Sequence, residues 1–186
     1  MSDVLQGIDP YTRPSFTLRN RCARLIWRIV WATLFRFSPQ MCFGWRSQLL
    51  RLFGARIGCK CHVYNDVRIW APWNLDMGDS ASMGPGVTCY SMAMITLGAR
   101  SVVSQGSHLC AGTHDYTRPD LPLMKPPITI QHQAWICADA FIGPGVTVGE
   151  GSVVGARAVV VKDVEPWTVV AGNPARYIKK RELDSN

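Results

Sequence analysis

The sequence predicts a mainly β protein: a parallel β-helix with a helical segment before it and a short helix after it. The first observation is an apolar residue at every sixth position, a spacing that neither a helix face nor an alternating strand produces. With two slips of two residues and one gap, these are Ile57, Val63, Ile69, Leu75, Met77, Met83, Cys89, Ile95, Leu97, Val103, Leu109, Ile130, Ile136, Ile142, Val148, Val154 and Val160. The second is a smaller residue four positions later, at Cys61, Val67, Ala81, Val87, Ser101, Ser107, Thr113, Ala134, Ala140, Val146, Ser152 and Ala158. Short strands joined at Gly-containing corners would stack both series into one ladder of inward side chains.

Length and composition fit one domain with appendages, since 186 residues can bury a sizeable core. The net charge of +7 is compatible with a polyanionic cofactor, an anionic membrane surface or nucleic acid. Nucleic acid is disfavoured because the basic residues fall at the two ends and not on a patch interleaved with aromatic residues. Seven cysteines without a signal-peptide pattern indicate a reducing compartment, so we expect a cytoplasmic protein.

The N-terminal segment, 1–56, reads as an arm followed by an amphipathic helical cap. We expect an extended arm over 1–14 and a helix over 15–37, where apolar residues at helical spacing alternate with arginines and Ser15 is a plausible cap. Two interpretations of this helix are compatible. It packs on the open first coil, or it lies peripherally on an anionic membrane with Trp27 and Trp31 at headgroup level, which would be the inner face of the membrane for a cytoplasmic protein.

A second helix is predicted over 41–52, and the β-helix domain then spans 57–165. Its repeat is interrupted at 115–127, which holds four prolines and no six-residue signal, so we expect an ejected loop with a functional role. Within the C-terminal segment, 166–186, we expect a turn followed by a short basic helix over 177–183.

The six-residue pattern resembles the hexapeptide-repeat acyltransferases over more than half of the chain. The stretches Trp31 to Phe35, Ser38-Pro39-Gln40 and Leu49 to Ala55 resemble the entry to the exopolysaccharide branch of that family, the colanic acid biosynthesis acetyltransferases. Maltose and galactoside acetyltransferases are more distantly similar. The resemblance implies a left-handed β-helix, a homotrimer, and an acetyl-CoA-dependent O-acetyltransferase acting on a sugar of a surface-glycan precursor, lipid-linked in our interpretation.

His114 is the only one of four histidines that lies where the repeat breaks, at the root of the loop and after a Thr113 expected to point inward. Gly112-Thr113-His114-Asp115 resembles the Gly-Ser/Thr-His-Asp motif of the family, whose histidine is the general base. Acetyl transfer from a thioester to an alcohol requires a proton acceptor, and imidazole titrates in the right range. No Ser or Cys nucleophile is placed with a base, so we expect direct transfer without a covalent enzyme intermediate.

The resemblance also implies the residues that contact the two substrates. For acetyl-CoA they are Trp135, Ala138, Ala156, Val161, Lys162, Arg176 and Lys179, with the Ala138 backbone N–H as oxyanion donor and the three cations near the phosphates. A solvated helix face is the alternative for Lys179 and Lys180. For the acceptor, Tyr90 and Ser91 are the nearest polar residues where the maltose and galactoside relatives use an Asn, and Asp115 binds the acceptor or fixes the loop. We expect no metal.

Three alternatives remain at this level. The acceptor could be a free small molecule such as a sugar, serine or a drug. The β-helix could be a catalytically silent scaffold. A zinc β-helix of the carbonic-anhydrase type is disfavoured because it needs several histidines across a subunit interface, whereas only His108 and His114 lie one face apart here.

Overall fold

The chain winds into a parallel β-helix with three faces, and the computed structural model describes residues 8–183. Successive strands join face 1, face 2 and face 3 in turn. Face 1 contains β1 (Arg56–Ile57), β4 (Leu75–Met77), β7 (Ile95–Leu97), β12 (Ile128–Ile130) and β15 (Thr147–Val148). Face 2 contains β2 (His62–Val63), β5 (Ser82–Met83), β8 (Val102–Val103), β13 (Trp135–Ile136), β16 (Val153–Val154), β18 (Thr168–Ala171) and β19 (Arg176–Lys180). Face 3 contains β3 (Arg68–Ile69), β6 (Thr88–Tyr90), β9 (His108–Cys110), β14 (Phe141–Ile142) and β17 (Val159–Val160).

The core of the β-helix is the predicted ladder of aliphatic side chains. Every position of the six-residue apolar series is buried, and so is every position of the smaller series except Thr113. The slips of two residues have a simple cause, because β4 and β7 are three residues long and each turns two side chains inward. The predicted β-helix is therefore confirmed.

Thr113 is exposed, so the prediction that it points inward is wrong. The chain leaves the coil after buried Ala111, and Thr113 already belongs to a hairpin outside the core. That hairpin pairs β10 (Thr113–His114) antiparallel with β11 (Leu123–Met124) and forms the root of the loop predicted at 115–127.

Two helices cover the first coil, as the cap interpretation predicts. They are α1 (Leu18–Val30), continued by a π-helical turn over Trp31–Phe35, and α2 (Phe43–Leu52). The Trp27 and Trp31 indole N–H groups donate to the carbonyls of Ile69 (2.7 Å) and Val67 (2.8 Å). Both indoles thus face the coil, and the prediction that they lie at headgroup level is wrong.

The start of α1 also differs from the prediction. Thr17, and not Ser15, caps the helix, because its hydroxyl accepts a hydrogen bond from the Asn20 N–H (3.3 Å). Of the arm predicted at 1–14, residues 1–7 lie outside the described range. No helix within residues 8–183 combines the length and the apolar character needed to cross a bilayer.

The C-terminal segment forms a strand, so the short helix predicted over 177–183 is wrong. β19 pairs antiparallel with β18, with Ala171 opposite Arg176 and Val169 opposite Lys179. β18 extends face 2 beyond β16, and without β19 its outer edge would leave backbone groups unpaired. Pairing the backbone groups at the edge of β18 stabilises the segment as a strand more than its helical residue pattern would stabilise it as a helix. Residues 184–186 lie outside the described range.

Candidate active site

The candidate residues lie at two of the three corners that join the faces. His114, Val161 and Lys162 belong to the corner at which the chain passes from face 3 to face 1, which we call corner 3–1. Ala138 and Ala156 belong to the corner between face 2 and face 3, which we call corner 2–3. With six residues from one corner to the next, the two corners are roughly 20 Å apart in an extended chain. Within one chain, the predicted base and the predicted oxyanion donor are therefore too far apart to act on the same acetyl group.

The imidazole of His114 is exposed and is held by one hydrogen bond at the root of the hairpin. Its Nδ1 atom lies 2.6 Å from the carbonyl oxygen of Leu121. A carbonyl only accepts, so Nδ1 carries the proton and Nε2 of the neutral ring is left with its lone pair. The contact fixes both the orientation of the ring and the tautomer that a general base requires.

Asp115 holds the turn that presents Leu121. Its carboxylate accepts hydrogen bonds from the hydroxyl (2.6 Å) and the N–H (3.0 Å) of Thr117, and these two bonds, the hydroxyl first, lower the pKa of Asp115. The Asp115 N–H donates to the carbonyl of Pro122 (2.9 Å). Of the two roles predicted for Asp115, the contacts correspond to fixing the loop.

An aromatic cluster lies beside this hairpin at corner 3–1. Leu123 of β11 and Met92 are buried, and Phe16, Trp70 and Tyr90 pack against them. Trp70 and Tyr90 meet edge to face with ring centres 5.8 Å apart, and burial raises the pKa of Tyr90. Tyr90 thus borders the loop that contains His114, and its contact with the acceptor stays a prediction.

Ser91 does not reach this surface. It is fully buried, and its hydroxyl donates to the Ala71 carbonyl (2.9 Å) and accepts from the Ala71 N–H (3.0 Å). The prediction that Ser91 binds the acceptor is wrong, because the hydroxyl is needed to satisfy the backbone of the neighbouring coil.

Backbone groups are free at corner 2–3. The N–H of Ala138 donates to no group in the described part of the chain, although its carbonyl accepts from the Arg157 N–H (2.9 Å). One coil later, neither the N–H nor the carbonyl of Ala156 has a partner among the described residues. Nearby on face 2, Trp135 is 44% exposed and its indole N–H donates to the Ser104 hydroxyl (2.9 Å), which fixes the ring across two coils.

A groove of about 690 Å³ opens at the end of the last coil, and its lining holds three cations and two carboxylates, Asp163 and Glu165. Val161, Lys162 and Arg176 line it, as does Lys180, whereas Lys179 does not. In a strand, neighbouring side chains point to opposite sides, so β19 turns Lys180 towards the groove and Lys179 away from it. Trp135, Ala138 and Ala156 lie outside this groove.

Three residues at these corners were missed by the sequence interpretation. The helix predicted over 177–183 hid the orientation of Lys180. Leu121 contacts His114 through its backbone carbonyl, so its residue type gives no indication of this contact. Arg24 of α1 lies over the rings of Phe16 (4.5 Å) and Trp70 (4.4 Å), so it borders the aromatic cluster. Its position in the helical pattern predicts only a surface residue.

No group of three or more His, Cys, Asp or Glu side chains within residues 8–183 is arranged to hold a metal ion.

The known proteins that this chain resembles in sequence and in structure include several named as acetyltransferases. The chain is 45% identical over 178 residues to the Escherichia coli (strain K12) protein named "Putative colanic acid biosynthesis acetyltransferase WcaF", covering 95% of this chain and 98% of that protein. A maltose O-acetyltransferase from Clostridium difficile 630 superposes with a TM-score of 0.80 at 26% identity, covering 90% of each chain. A galactoside acetyltransferase in complex with coenzyme A gives a TM-score of 0.79 at 26% identity, covering 89% of this chain and 84% of that one. No protein-family model matches the chain.

Proposed function

The chain belongs to the hexapeptide-repeat acetyltransferases, and from that premise we propose that it transfers the acetyl group of acetyl-CoA to a sugar hydroxyl of an exopolysaccharide or other surface-glycan precursor. The observation that supports this most is the bond between His114 Nδ1 and the Leu121 carbonyl, since it leaves Nε2 as an exposed proton acceptor. The glycan precursor is favoured by 45% identity over almost the whole chain to a protein named for colanic acid biosynthesis.

His114 is the general base in this proposal. Its Nε2 atom takes the proton of the sugar hydroxyl as the oxygen attacks the thioester carbonyl, and the Leu121 carbonyl stabilises the imidazolium that forms, because it accepts the hydrogen bond of Nδ1–H. A side chain of this type contributes about 10² to 10⁴ to the rate. Attack is direct: the tetrahedral intermediate breaks its C–S bond and expels CoA as a thiolate, which takes the proton from Nε2 and restores the neutral imidazole. The acetyl group is therefore never bound covalently to the protein.

The free backbone groups fit the thioester end of acetyl-CoA. The unpaired N–H of Ala138 is a suitable donor for the oxyanion, and a backbone donor needs no rearrangement as charge develops. The free N–H and carbonyl of Ala156 and the exposed ring of Trp135 offer further contacts to an amide-containing arm. Acetyl-CoA supplies the activated acetyl group.

The groove at the end of the last coil fits the phosphate end of acetyl-CoA. Lys162, Arg176 and Lys180 lie on the rim of one groove, and phosphates are bound most strongly by such charge-assisted hydrogen bonds. We infer that Lys180 takes the role first predicted for Lys179, because Lys180 faces the groove.

The site requires a neighbouring chain. The base lies at corner 3–1 and the oxyanion donor at corner 2–3, and the roughly 20 Å between corners exceeds the reach of an imidazole. A homotrimer with threefold symmetry brings corner 3–1 of one chain against corner 2–3 of the next, which forms three complete sites.

Mixing two inactive variants tests this arrangement. His114→Ala removes the base, and Ala138→Pro removes the backbone N–H, while Ala138→Ser keeps that N–H and is the matched control. If each site takes its base and its donor from different chains, randomly mixed trimers contain sites with both groups intact, about a quarter of the total. We expect acetyl transfer to return to that level after the two variants are denatured and refolded together. A site formed within one chain would stay inactive in every mixture.

A further inference from the structure

We propose that the outer face of α1 binds the surface of an anionic lipid bilayer. We define this outer face as Leu18, Cys22, Leu25, Ile26 and Ile29, which all point away from the β-helix and are all exposed. The inference goes beyond the proposed acetyl transfer, because it concerns a surface that the reaction does not use.

The outer face is a preformed apolar surface and not the fluctuating side of a loose helix. The opposite side of α1 is fixed by buried Trp27, whose indole N–H donates to the Ile69 carbonyl (2.7 Å). Leu18, Leu25 and Ile29 are 73%, 57% and 56% exposed. Large aliphatic side chains exposed along one line of a fixed helix cost free energy in water, and burial in the acyl region of a bilayer removes that cost.

The charges around this face favour an anionic partner. Residues 10–65 hold ten of the twenty Lys and Arg of the chain and none of its thirteen Asp and Glu. Arg19, Arg21 and Arg28 flank the outer face and are exposed. No carboxylate of residues 8–183 lies within ion-pair distance of these three arginines. If the outer face is buried in the bilayer, the guanidinium groups at its edges would lie at the level of the headgroups. Anionic headgroups would then supply the negative charge that these arginines lack in the protein.

A second copy of this chain fits the outer face less well. Pairing of two α1 helices through the same apolar line would bring Arg21 and Arg28 against their own copies, with no acidic residue on either helix to separate them. A lipid surface has no such conflict, since its charge is opposite to that of the helix.

Further large apolar side chains are exposed past the end of α1. Leu34, Phe37, Met41 and Trp45 are exposed, and the Trp45 indole N–H donates to the Leu34 carbonyl (3.1 Å), which keeps this end together. A half-exposed Trp with its N–H satisfied is typical of residues at the boundary between headgroups and acyl chains.

Binding through this face would bring the active site close to the lipid. Phe16, two residues before α1, packs in the aromatic cluster with Leu123 of β11, which pairs with His114. The N-terminal end of the helix thus adjoins the hairpin that carries the base. A membrane-bound acceptor would meet His114 at the edge of the bilayer.

Vesicle flotation of the full chain tests the proposal. The probes are vesicles of phosphatidylcholine alone and of phosphatidylcholine mixed with phosphatidylglycerol. We expect flotation only with the anionic vesicles, and less of it at high salt. Leu25→Ser with Ile29→Ser should weaken binding at least tenfold through lost apolar burial. Arg21→Gln with Arg28→Gln should weaken it roughly tenfold or more through lost attraction to headgroups.

Matched controls separate this face from any other exposed residue. Ile178 on β19 is as exposed as Leu25, so Ile178→Ser should float like the wild type. Arg100→Gln with Arg157→Gln removes the same charge from the coils and should change flotation little. No flotation of the wild type on anionic vesicles at low salt would overturn the proposal. So would equal loss in the controls, or a change of oligomeric state in the Leu25→Ser, Ile29→Ser variant with vesicle binding intact, which would make the face a protein interface.

Discussion

The Nδ1 atom of His114 lies 2.6 Å from the carbonyl oxygen of Leu121, across the root of the hairpin that leaves the coil. Leu121 has a positive φ of 43°, a backbone conformation that side-chain-bearing residues rarely adopt. The surrounding turn holds it there and thereby aims its carbonyl at the imidazole. The tautomer of the base is thus set by the backbone of its own loop and not by a second acidic side chain.

Loosening that turn should slow the reaction without affecting the donor site. Asp115→Ala removes the carboxylate that accepts two hydrogen bonds from Thr117, so the Leu121 carbonyl is no longer held against His114. We expect kcat to fall about tenfold, a small part of what general-base catalysis contributes, with the Kd for acetyl-CoA unchanged. Thr117→Val, which removes one of the two donors, should have a smaller effect. A wild-type kcat in both variants would show that the turn does not position the base.

The same turn should respond to acid. Because the hydrogen bonds of Thr117 lower the pKa of Asp115 in the folded protein, the carboxylate contributes to the order of the loop above its unfolded pKa. That contribution is lost as the pH falls through the lower folded-state pKa. Hydrogen exchange of the loop amides should accelerate at that acidic end in the wild type, relative to the core strands. In Asp115→Asn the loop should exchange fast at every pH, and a protected loop in that variant would refute the assignment.

Two adjacent lysines provide a sharp test of the acetyl-CoA site. Arg176 and Lys180 line the groove at the end of the last coil, whereas Lys179 does not. Arg176→Ala with Lys180→Ala should weaken acetyl-CoA binding by tenfold or more, since a hydrogen bond to a charged group is worth about 1.5 to 3 kcal/mol. Lys179→Ala is the matched control and should bind as the wild type does. Calorimetric titration that shows as large a loss of affinity in Lys179→Ala as in the double variant would contradict the orientation of β19.

A buried arginine should dominate the stability of the helical cap. Arg46 of α2 is fully buried, and its guanidinium donates to the carbonyls of Val63 (2.6 Å), Pro39 (2.9 Å) and Gln40 (2.6 Å) and to the Ser38 hydroxyl (2.8 Å). Arg46→Met would remove four hydrogen bonds and leave the carbonyls of Val63 and Gln40 without their donor, so we expect a loss of roughly 3 to 5 kcal/mol in the free energy of unfolding.

Arg56→Met is the comparison for that measurement. Arg56 forms an exposed ion pair with Asp76 (2.8 Å), and exposed pairs contribute about 0 to 1 kcal/mol. Equal melting temperatures of the two variants would mean that the Arg46 contacts add little to stability.

The core and the position of the loop that holds His114 could be predicted from the sequence, because both follow from one local six-residue period. A coil that must turn a side chain inward every sixth residue leaves no freedom at positions such as Val103 or Ile142, and a run of prolines marks where the coil stops. Residues at the edge of that pattern were less predictable. Thr113 fits the period but lies outside the core, because the chain departs two residues earlier than the pattern suggests.

Features that depend on partners distant in the sequence were beyond the reach of the pattern. Arg176, Lys179 and Lys180 have helical spacing, and pairing with the open edge of β18 makes this segment a strand. Ser91 is polar and close to the loop, yet the backbone of Ala71 on the neighbouring coil uses its hydroxyl. The partner of His114 is a backbone carbonyl, and every residue has one, so no residue type could have indicated it.

The role of His114 is tested most directly by acetyl transfer with His114→Ala and His114→Asn, assayed on sugars and lipid-linked glycans beside the wild type. His132→Ala at the corner between faces 1 and 2 is the control. We predict that turnover falls by about 10² to 10⁴ in both His114 variants, with acetyl-CoA affinity and thermal melting as in the wild type. Turnover should also fall in the wild type as the pH is lowered, because a protonated Nε2 cannot accept the hydroxyl proton. Wild-type turnover in both His114 variants would remove this residue from the mechanism, and the absence of transfer by the wild type across the acceptor panel would contradict the proposed activity.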